Sequence, residues 1–354
     1  MPRRISNEAP PMQAVVIHAA RDLRIEDADT PALGPHDVAV RIGAGGICGS
    51  DLHYYQDGGF GTVRLRESMV LGHEVAGTVT EIGASVTGIA PGARVAVNPS
   101  RPCNACRFCL AGQSNQCLDM RFFGSAMRFP HVQGGFRQVL VCDASQAVQV
   151  PADLPLTSAA FAEPLAVCLH AAHQAGPLLG ARVLVTGAGP IGMLMLLAAR
   201  HAGAGEVIVT DLVDAPLELA RRLGADAAFN TRTDPGALDR FLPDKGWFDA
   251  VFEASGSAAA LTQAIAVARP GATIVQVGIG RDAPLPLNTV VAKEITLRGS
   301  FRFGPEFAMA AAAIGSGRID PAPLLTEVLP MTSAIQAFEL AADRARAMKV
   351  QLAF

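Results

Sequence analysis

From residue 156 onward, apolar runs of strand length alternate with helical stretches, and this alternation constrains the fold more than any other feature. Arg182-Val-Leu-Val-Thr186 reads as a strand and 190–202 as a helix; Glu206-Val-Ile-Val-Thr210 reads as a second strand and 215–223 as a second helix. Further strands are expected at 248–253, 273–277 and 294–298, with helices over 156–174 and 258–268. Strands separated by helices are joined by crossovers and line up in parallel, so the stretch predicts βαβ units around a doubly wound parallel sheet. The strand segments are almost continuously apolar, as strands covered on both faces must be.

The first 150 residues follow a different rhythm. Ala14-Val-Val-Ile17, Asp37-Val-Ala-Val-Arg-Ile42 and Ala76-Gly-Thr-Val-Thr-Glu-Ile82 are short β-like runs separated by Gly and Pro turns, and Pro91-Gly-Ala-Arg-Val-Ala-Val97 is a turn entering a strand. They predict a β-rich, barrel-like domain. A chain of 354 residues exceeds what one core serves well, so two domains are expected. A helix over 334–344 and a closing strand over 349–354 are read as a return to the first domain. Residues 1–11, with three prolines, two arginines and no apolar run, read as a loose tail and not as a signal peptide.

Gly187-Ala-Gly-Pro-Ile-Gly192 follows a strand directly and opens a helix. With 35 glycines in the chain the motif alone is weak; its context makes it a dinucleotide site. Gly187 allows the tight turn, Gly189 the approach of a pyrophosphate, and Gly192 close helix–strand packing, while Pro190 and Ile191 open the helix whose N-terminus favours the anion. Asp211 ends the next strand, where a carboxylate can accept both adenosine ribose hydroxyls and repel a 2′-phosphate. Leu212, Val213 and Pro216 offer no cation to that phosphate, so NAD(H) is expected over NADP(H). A bland role for Asp211 is a helix N-cap, for which Asp214 is better placed.

Cys103, Cys106, Cys109 and Cys117 have the spacing of four thiolates closing a tetrahedron around a structural Zn²⁺, with Zn–S near ~2.3 Å. Disulfides in a secreted protein fit this spacing poorly. The other two cysteines outside any metal-like pattern, Cys142 and Cys168, read as small buried apolar residues. An open metal site is expected elsewhere: Cys48, His73, Glu74 and Glu163 offer one thiolate, one imidazole and two carboxylates, a mixture that suits a Zn²⁺ with an exchangeable position.

A net charge of −3 argues against a nucleic-acid partner. No apolar run is long enough to span a bilayer. Seven cysteines without an export signal point to a reducing cytoplasm.

Gly46-Ile-Cys-Gly-Ser-Asp-Leu-His-Tyr54, Leu71-Gly-His-Glu74, the four-cysteine lobe, Phe161-Ala-Glu-Pro-Leu165 and the glycine motif together resemble the zinc-dependent medium-chain alcohol dehydrogenases, nearest to their polyol (sorbitol) dehydrogenase branch. The likeness spans the chain after the tail. It implies a GroES-like catalytic domain (12–157 and 304–354) and a Rossmann NAD-binding domain (158–303). It implies that Cys48, His73 and Glu74 are catalytic-zinc ligands, with Glu163 a fourth ligand or a water-holding group. Ser50 would relay the alcohol proton and His53 pass it to solvent. Nicotinamide contacts fall on Val277, Gly278, Ile279, Ser300, Phe301 and Arg302, and substrate contacts on Tyr54 and Arg302. Where polyol dehydrogenases often carry a tyrosine after that arginine, this chain has Phe303.

A narrower likeness, carried by 119–136, His170-Ala-Ala-His-Gln-Ala-Gly176, Arg298-Gly-Ser-Phe-Arg-Phe303 and Lys349-Val-Gln-Leu352, is to the L-idonate 5-dehydrogenases. It implies reversible oxidation of a sugar-acid secondary alcohol. A guanidinium fork suits the carboxylate of such a substrate, which makes Arg302, Arg121 and Arg128 candidates to meet it, Arg128 being read rather as a solvated loop arginine. His131 is read as a loop residue in preference to a pocket one. The alternatives are a neutral polyol such as sorbitol or xylitol as substrate, or a redox-inert NAD-binding structural protein. The family forms dimers or tetramers, so a homo-oligomer is expected, with 273–297 supplying the edge.

Overall fold

The computed structural model describes residues 12–29, 31–282 and 284–354; the tail over 1–11 lies outside them. Two sheets organise the chain. The first has seven strands, in the order Ala147–Gln149, Arg94–Val97, Glu74–Ile82, Asp37–Gly46, Lys349–Ala353 and Leu325–Pro330, with Val139–Asp143 also pairing Asp37–Gly46. A smaller sheet has three strands in the order Asp22–Ala28, Met12–Ala19 and Met69–Val70. Val38, Val40 and Ile42 alternate inward from Asp37–Gly46 into a core shared with Phe136, Phe338 and Leu352. The last strand of the chain pairs antiparallel with Asp37–Gly46, Gln351 opposite Gly46, so the C-terminus closes the first sheet.

The second sheet is wholly parallel. Its strands in chain order are Arg182–Thr186, Glu206–Asp211, Ala227–Asn230, Phe248–Glu253, Ala268–Gln276 and Thr296–Gly299, and they lie in the spatial order third, second, first, fourth, fifth, sixth. The order reverses between Arg182–Thr186 and Phe248–Glu253, which opens a crevice at their carboxyl ends, where such sheets bind nucleotides. Val183 and Val185 face a core that also holds Leu165, Leu169, Leu194 and Phe307. Leu184, Val251 and Ile274 face the opposite core with Phe248 and Ile265.

Three local features depart from the sequence reading. The single helix expected over 156–174 is two, Leu156–Ala159 and Ala162–Ala175. Pro164 is the reason: it lacks an N–H, and its ring would meet the carbonyl four residues back, so it belongs in the first turn of a new helix. The strand expected at 273–277 begins earlier, at Ala268. A helix not anticipated, Gly49–Asp57, follows the Asp37–Gly46 strand. Among the described residues no helix is long and apolar enough to cross a membrane.

Candidate active site and metal centres

Cys48 caps the Gly49–Asp57 helix, and its backbone N–H donates to Asp51 Oδ2 at 3.0 Å. The other Asp51 oxygen accepts from the Gly72 N–H at 3.3 Å, which fixes the strand entry that carries His73 and Glu74. One fully buried carboxylate thus joins the two segments that supply the cluster. The ligand atoms of Cys48, His73 and Glu74 all lie within 4.8 Å of one another. His73 Nδ1 is buried without a hydrogen-bond partner, Asp51 Oδ1 being 3.8 Å away. Burial, with Glu74 close by, pushes the Cys48 thiol up to about 12. A half-buried thiol, a buried imidazole and a buried carboxylate converging on one point fit a divalent zinc, which would draw the thiol into its thiolate form.

Glu163 stands outside that group, in the first turn of the Ala162–Ala175 helix. Burial pushes its carboxyl up to about 8, and the fields of His73, Glu74, Cys48 and Lys349 all reach it. Ser50 lies in the first turn of the Cys48-capped helix. His53, on the same helix, is half exposed, with Nδ1 3.6 Å from Asp57 Oδ2.

Phe122 links the cluster to a cavity of about 250 Å³: its ring centroid is 5.5 Å from that of His73, and it lines the cavity with Ser125, Met127, Val132, Phe301 and Arg302. The Arg302 guanidinium stacks 4.2 Å over Phe122 and 5.0 Å over Phe301. Burial lowers its pKa to about 10 against the opposing pull of Glu163 and Tyr54. It makes no ion pair with a described carboxylate. Arg302 itself adopts a left-handed backbone, φ 55°, in the segment after the last strand of the parallel sheet.

The second cluster, Cys103, Cys106, Cys109 and Cys117, also has its sulfurs within 4.8 Å of one another. Backbone N–H groups are aimed at them: Cys103 at Cys117 Sγ (3.1 Å), Cys106 at Cys103 Sγ (3.3 Å) and Asp119 at Cys117 Sγ (3.3 Å). Such donors favour thiolates; those from Cys109 and Leu118 bring the Cys106 thiol down to about 6. Four clustered sulfurs with this support fit a closed zinc site.

In the crevice of the parallel sheet, Gly187 has φ 89° and donates its N–H to Thr210 O. A Cβ on Gly192 would lie 1.7 Å from the Gly187 carbonyl oxygen, so the helix opened by Pro190 and Ile191 packs on this turn only without a side chain there. Val277 and Gly278 both donate to Glu253 O, while Ile279 is largely exposed beside them. Ser300 donates its N–H to Gln276 O and has a buried, unpartnered hydroxyl.

Comparison with known proteins agrees with this arrangement. Residues 34–152 match the alcohol dehydrogenase GroES-like domain family and residues 190–315 the zinc-binding dehydrogenase family. The chain is 46% identical over 316 residues to an L-idonate 5-dehydrogenase (NAD(P)(+)) of Escherichia coli, covering 89% of this chain and 91% of the relative. It is 35% identical to a sorbitol dehydrogenase of Gallus gallus, covering 96% of this chain and 95% of the relative. The crystal structure of L-idonate 5-dehydrogenase from Escherichia coli superposes with a TM-score of 0.91 at 42% identity, over 97% of this chain and 98% of that one. The chain belongs to the zinc-dependent medium-chain alcohol dehydrogenases. It is an oxidoreductase that acts on a polyol or a sugar acid with zinc and a nicotinamide dinucleotide.

The remaining candidate side chains of this dehydrogenase differ in how far they reach the cavity. Tyr54 is fully buried, its hydroxyl oxygen accepts the Ala126 N–H at 3.0 Å, and it is not among the residues that line the cavity. Arg121 is exposed: on the short strand Arg121–Phe122 the side chains alternate, and Phe122 takes the inward place. Arg128 lines the cavity but is paired with Asp119. His131 is held on both nitrogens, accepting the Arg66 N–H at 2.9 Å and facing Arg128 O at 2.7 Å, as a structural residue of its loop.

Three buried charged groups escaped the sequence reading. Asp51 is signalled by its capping-box spacing from Cys48. Lys349, 3% exposed, is ion-paired with Glu74 (1% exposed) and donates to Ile47 O at 2.9 Å; no local signal points to it, because it arrives from the last strand. Glu253, fully buried, accepts from Thr186 Oγ1 and from the Ser255 and Gly256 N–H groups, and so organises the loops at the crevice.

Proposed function

We propose that this dehydrogenase oxidises a secondary alcohol of a hexonate, with L-idonate to 5-keto-D-gluconate, reversibly, as the assigned reaction. The observation that carries this reading is Arg302: a guanidinium over the rings of Phe122 and Phe301, with Phe122 in turn beside His73, and without a described carboxylate partner. One of its nitrogens donates to the Met127 sulfur at 3.1 Å, a weak acceptor, and a planar fork of this kind is better matched by a substrate carboxylate. The identity to the Escherichia coli L-idonate enzyme supports the same choice.

Two zincs per chain are proposed, a catalytic one on Cys48, His73 and Glu74 and a structural one on Cys103, Cys106, Cys109 and Cys117. When bound, the catalytic zinc supplies Lewis acidity that eases loss of the alcohol proton, and the dinucleotide accepts the hydride. Asp51 holds the cysteine and histidine segments in register. Glu163 holds water or a proton at the floor of the site. Ser50 Oγ takes the alcohol proton, and half-exposed His53 passes it to solvent. The Gly187–Gly192 turn, with Gly189, Pro190 and Ile191, receives the pyrophosphate. Val277, Gly278, Ile279, Ser300 and Phe301 bound the nicotinamide, and Asp211 is the ribose acid that favours NAD(H). Ser125 stands nearest the substrate, with Tyr54 buttressing it. In this reading 12–157 and 304–354 form the catalytic domain and 158–303 the NAD-binding domain, in a homodimer or homotetramer. Seven free cysteines suit a reducing cytoplasm.

The test is a panel of hexonates and neutral polyols with NAD, run on protein of measured zinc content. A higher kcat/KM for L-idonate than for sorbitol and xylitol supports the proposal; a preference for the neutral polyols overturns the sugar-acid assignment.

A further inference from the structure

Asp211 should present a free carboxylate to the adenosine ribose, yet its oxygens are taken. Oδ1 accepts the backbone N–H groups of Leu212 (2.7 Å) and Val213 (3.1 Å). Oδ2 accepts the Ala188 N–H (2.6 Å) and, at 2.8 Å, the guanidinium of Arg344. Four bonds fill the acceptor capacity of a carboxylate. Three come from the backbone of the nucleotide crevice and hold Asp211 in place. The fourth comes from a residue 133 positions away, in the segment after the Ala334–Ala342 helix.

The two partners differ in freedom. The Asp211 side chain is 3% exposed and locked; that of Arg344 is 55% exposed and carries the mobile stem of an arginine. A lone acid at this position repels a 2′-phosphate. Here its charge is balanced by a half-exposed guanidinium that has further N–H donors, and a guanidinium recognises phosphate. To reach Asp211, a ribose 2′-hydroxyl must share or displace the Arg344 bond. A 2′-phosphate can keep Arg344 in place and bind it. The leucine, valine and proline after Asp211 supply no cation, but the far end of the chain does.

We propose that Arg344 is the residue that sets this enzyme's discrimination between 2′-hydroxyl and 2′-phosphate dinucleotides, softening the NAD preference of Asp211 so that NADP(H) also binds. The assignment rests on the dinucleotide site described above and deepens it.

The experiment is calorimetric titration of the zinc-loaded full chain with ADP-ribose and with 2′-phospho-ADP-ribose, for the wild type, Arg344→Ala and Arg344→Lys. The readout is the ratio of the two dissociation constants. The Ala variant is expected to shift that ratio toward ADP-ribose by about 10- to 150-fold, the size of one charge-assisted hydrogen bond, and the Lys variant to recover part of the shift. An unchanged ratio in Arg344→Ala, or equal weakening of both ligands, overturns the role of Arg344 while leaving the dinucleotide site intact. Failure of the wild type to bind ADP-ribose overturns the site itself and the proposal with it.

Discussion

Replacing Arg302 by methionine separates a sugar-acid enzyme from a polyol enzyme. Methionine keeps apolar contact with Phe122 and Phe301, whose rings lie 4.2 and 5.0 Å from the guanidinium carbon, but removes the charge and its donors. A hydrogen bond between charged groups contributes about 1.5–3 kcal/mol, and at this half-buried site solvent screens it in part. With 1.36 kcal/mol per tenfold, loss of one such bond lowers kcat/KM for L-idonate by about 10- to 150-fold, and loss of a bidentate pair by more. A neutral polyol loses only an ordinary hydrogen bond, so its kcat/KM should fall by about tenfold or less. Initial rates on both substrates at saturating NAD, with the KM for NAD followed in parallel, measure the difference. Equal losses on the charged and neutral substrates, or a loss confined to the KM for NAD, would refute the reasoning.

Other consequences concern the frame around the site. Cys106→Ala should lower thermal stability and reduce bound zinc to one per chain, since a structural zinc contributes folding free energy; an unchanged melting curve and metal content would contradict the structural role. Gly192→Ala puts a Cβ 1.7 Å from the Gly187 carbonyl, an overpacking that costs about 1–3 kcal/mol or more, and should abolish ADP-ribose binding by calorimetry. Glu306 accepts from His170 and His173, each at 3.0 Å, and from the Gly304 N–H at 2.7 Å. Burial would raise its carboxyl, but these bonds outweigh burial and hold it at about 2, below the ordinary 4.5. A depressed carboxyl stabilises the fold above its unfolded pKa, and that stability is lost as pH falls from about 4.5 toward 2. Glu306→Gln should therefore flatten the acid limb of melting temperature against pH; an acid limb identical to the wild type would exclude the link.

The four-cysteine cluster and the nucleotide turn were legible because their residues announce themselves by spacing: the three-residue steps of the cysteine lobe, and a glycine motif wedged between strand and helix. Cys48, His73 and Glu74, split between two segments, were legible only in combination with those motifs and through the family resemblance. The parallel sheet was legible because strands buried on both faces stay apolar throughout. What escaped depends on distance in the chain. The return of the C-terminal segment was readable, but not its pairings: no local pattern encodes that Lys349 meets Glu74 or that Arg344 meets Asp211. The break between Ala159 and Ala162 was readable in Pro164 but masked by the helical run around it. Arg121 was a candidate by the chemistry of its guanidinium; the period of a two-residue strand turned it outward and gave its neighbour Phe122 the place in the cavity.

The most direct test is anomalous diffraction at the zinc edge from crystals of active enzyme grown with NADH. The account predicts two peaks per chain, one enclosed by Cys103, Cys106, Cys109 and Cys117, the other between Cys48 and His73 and facing the nicotinamide ring. Active crystals without a peak at Cys48 and His73, or with the ring turned away from it, would contradict it.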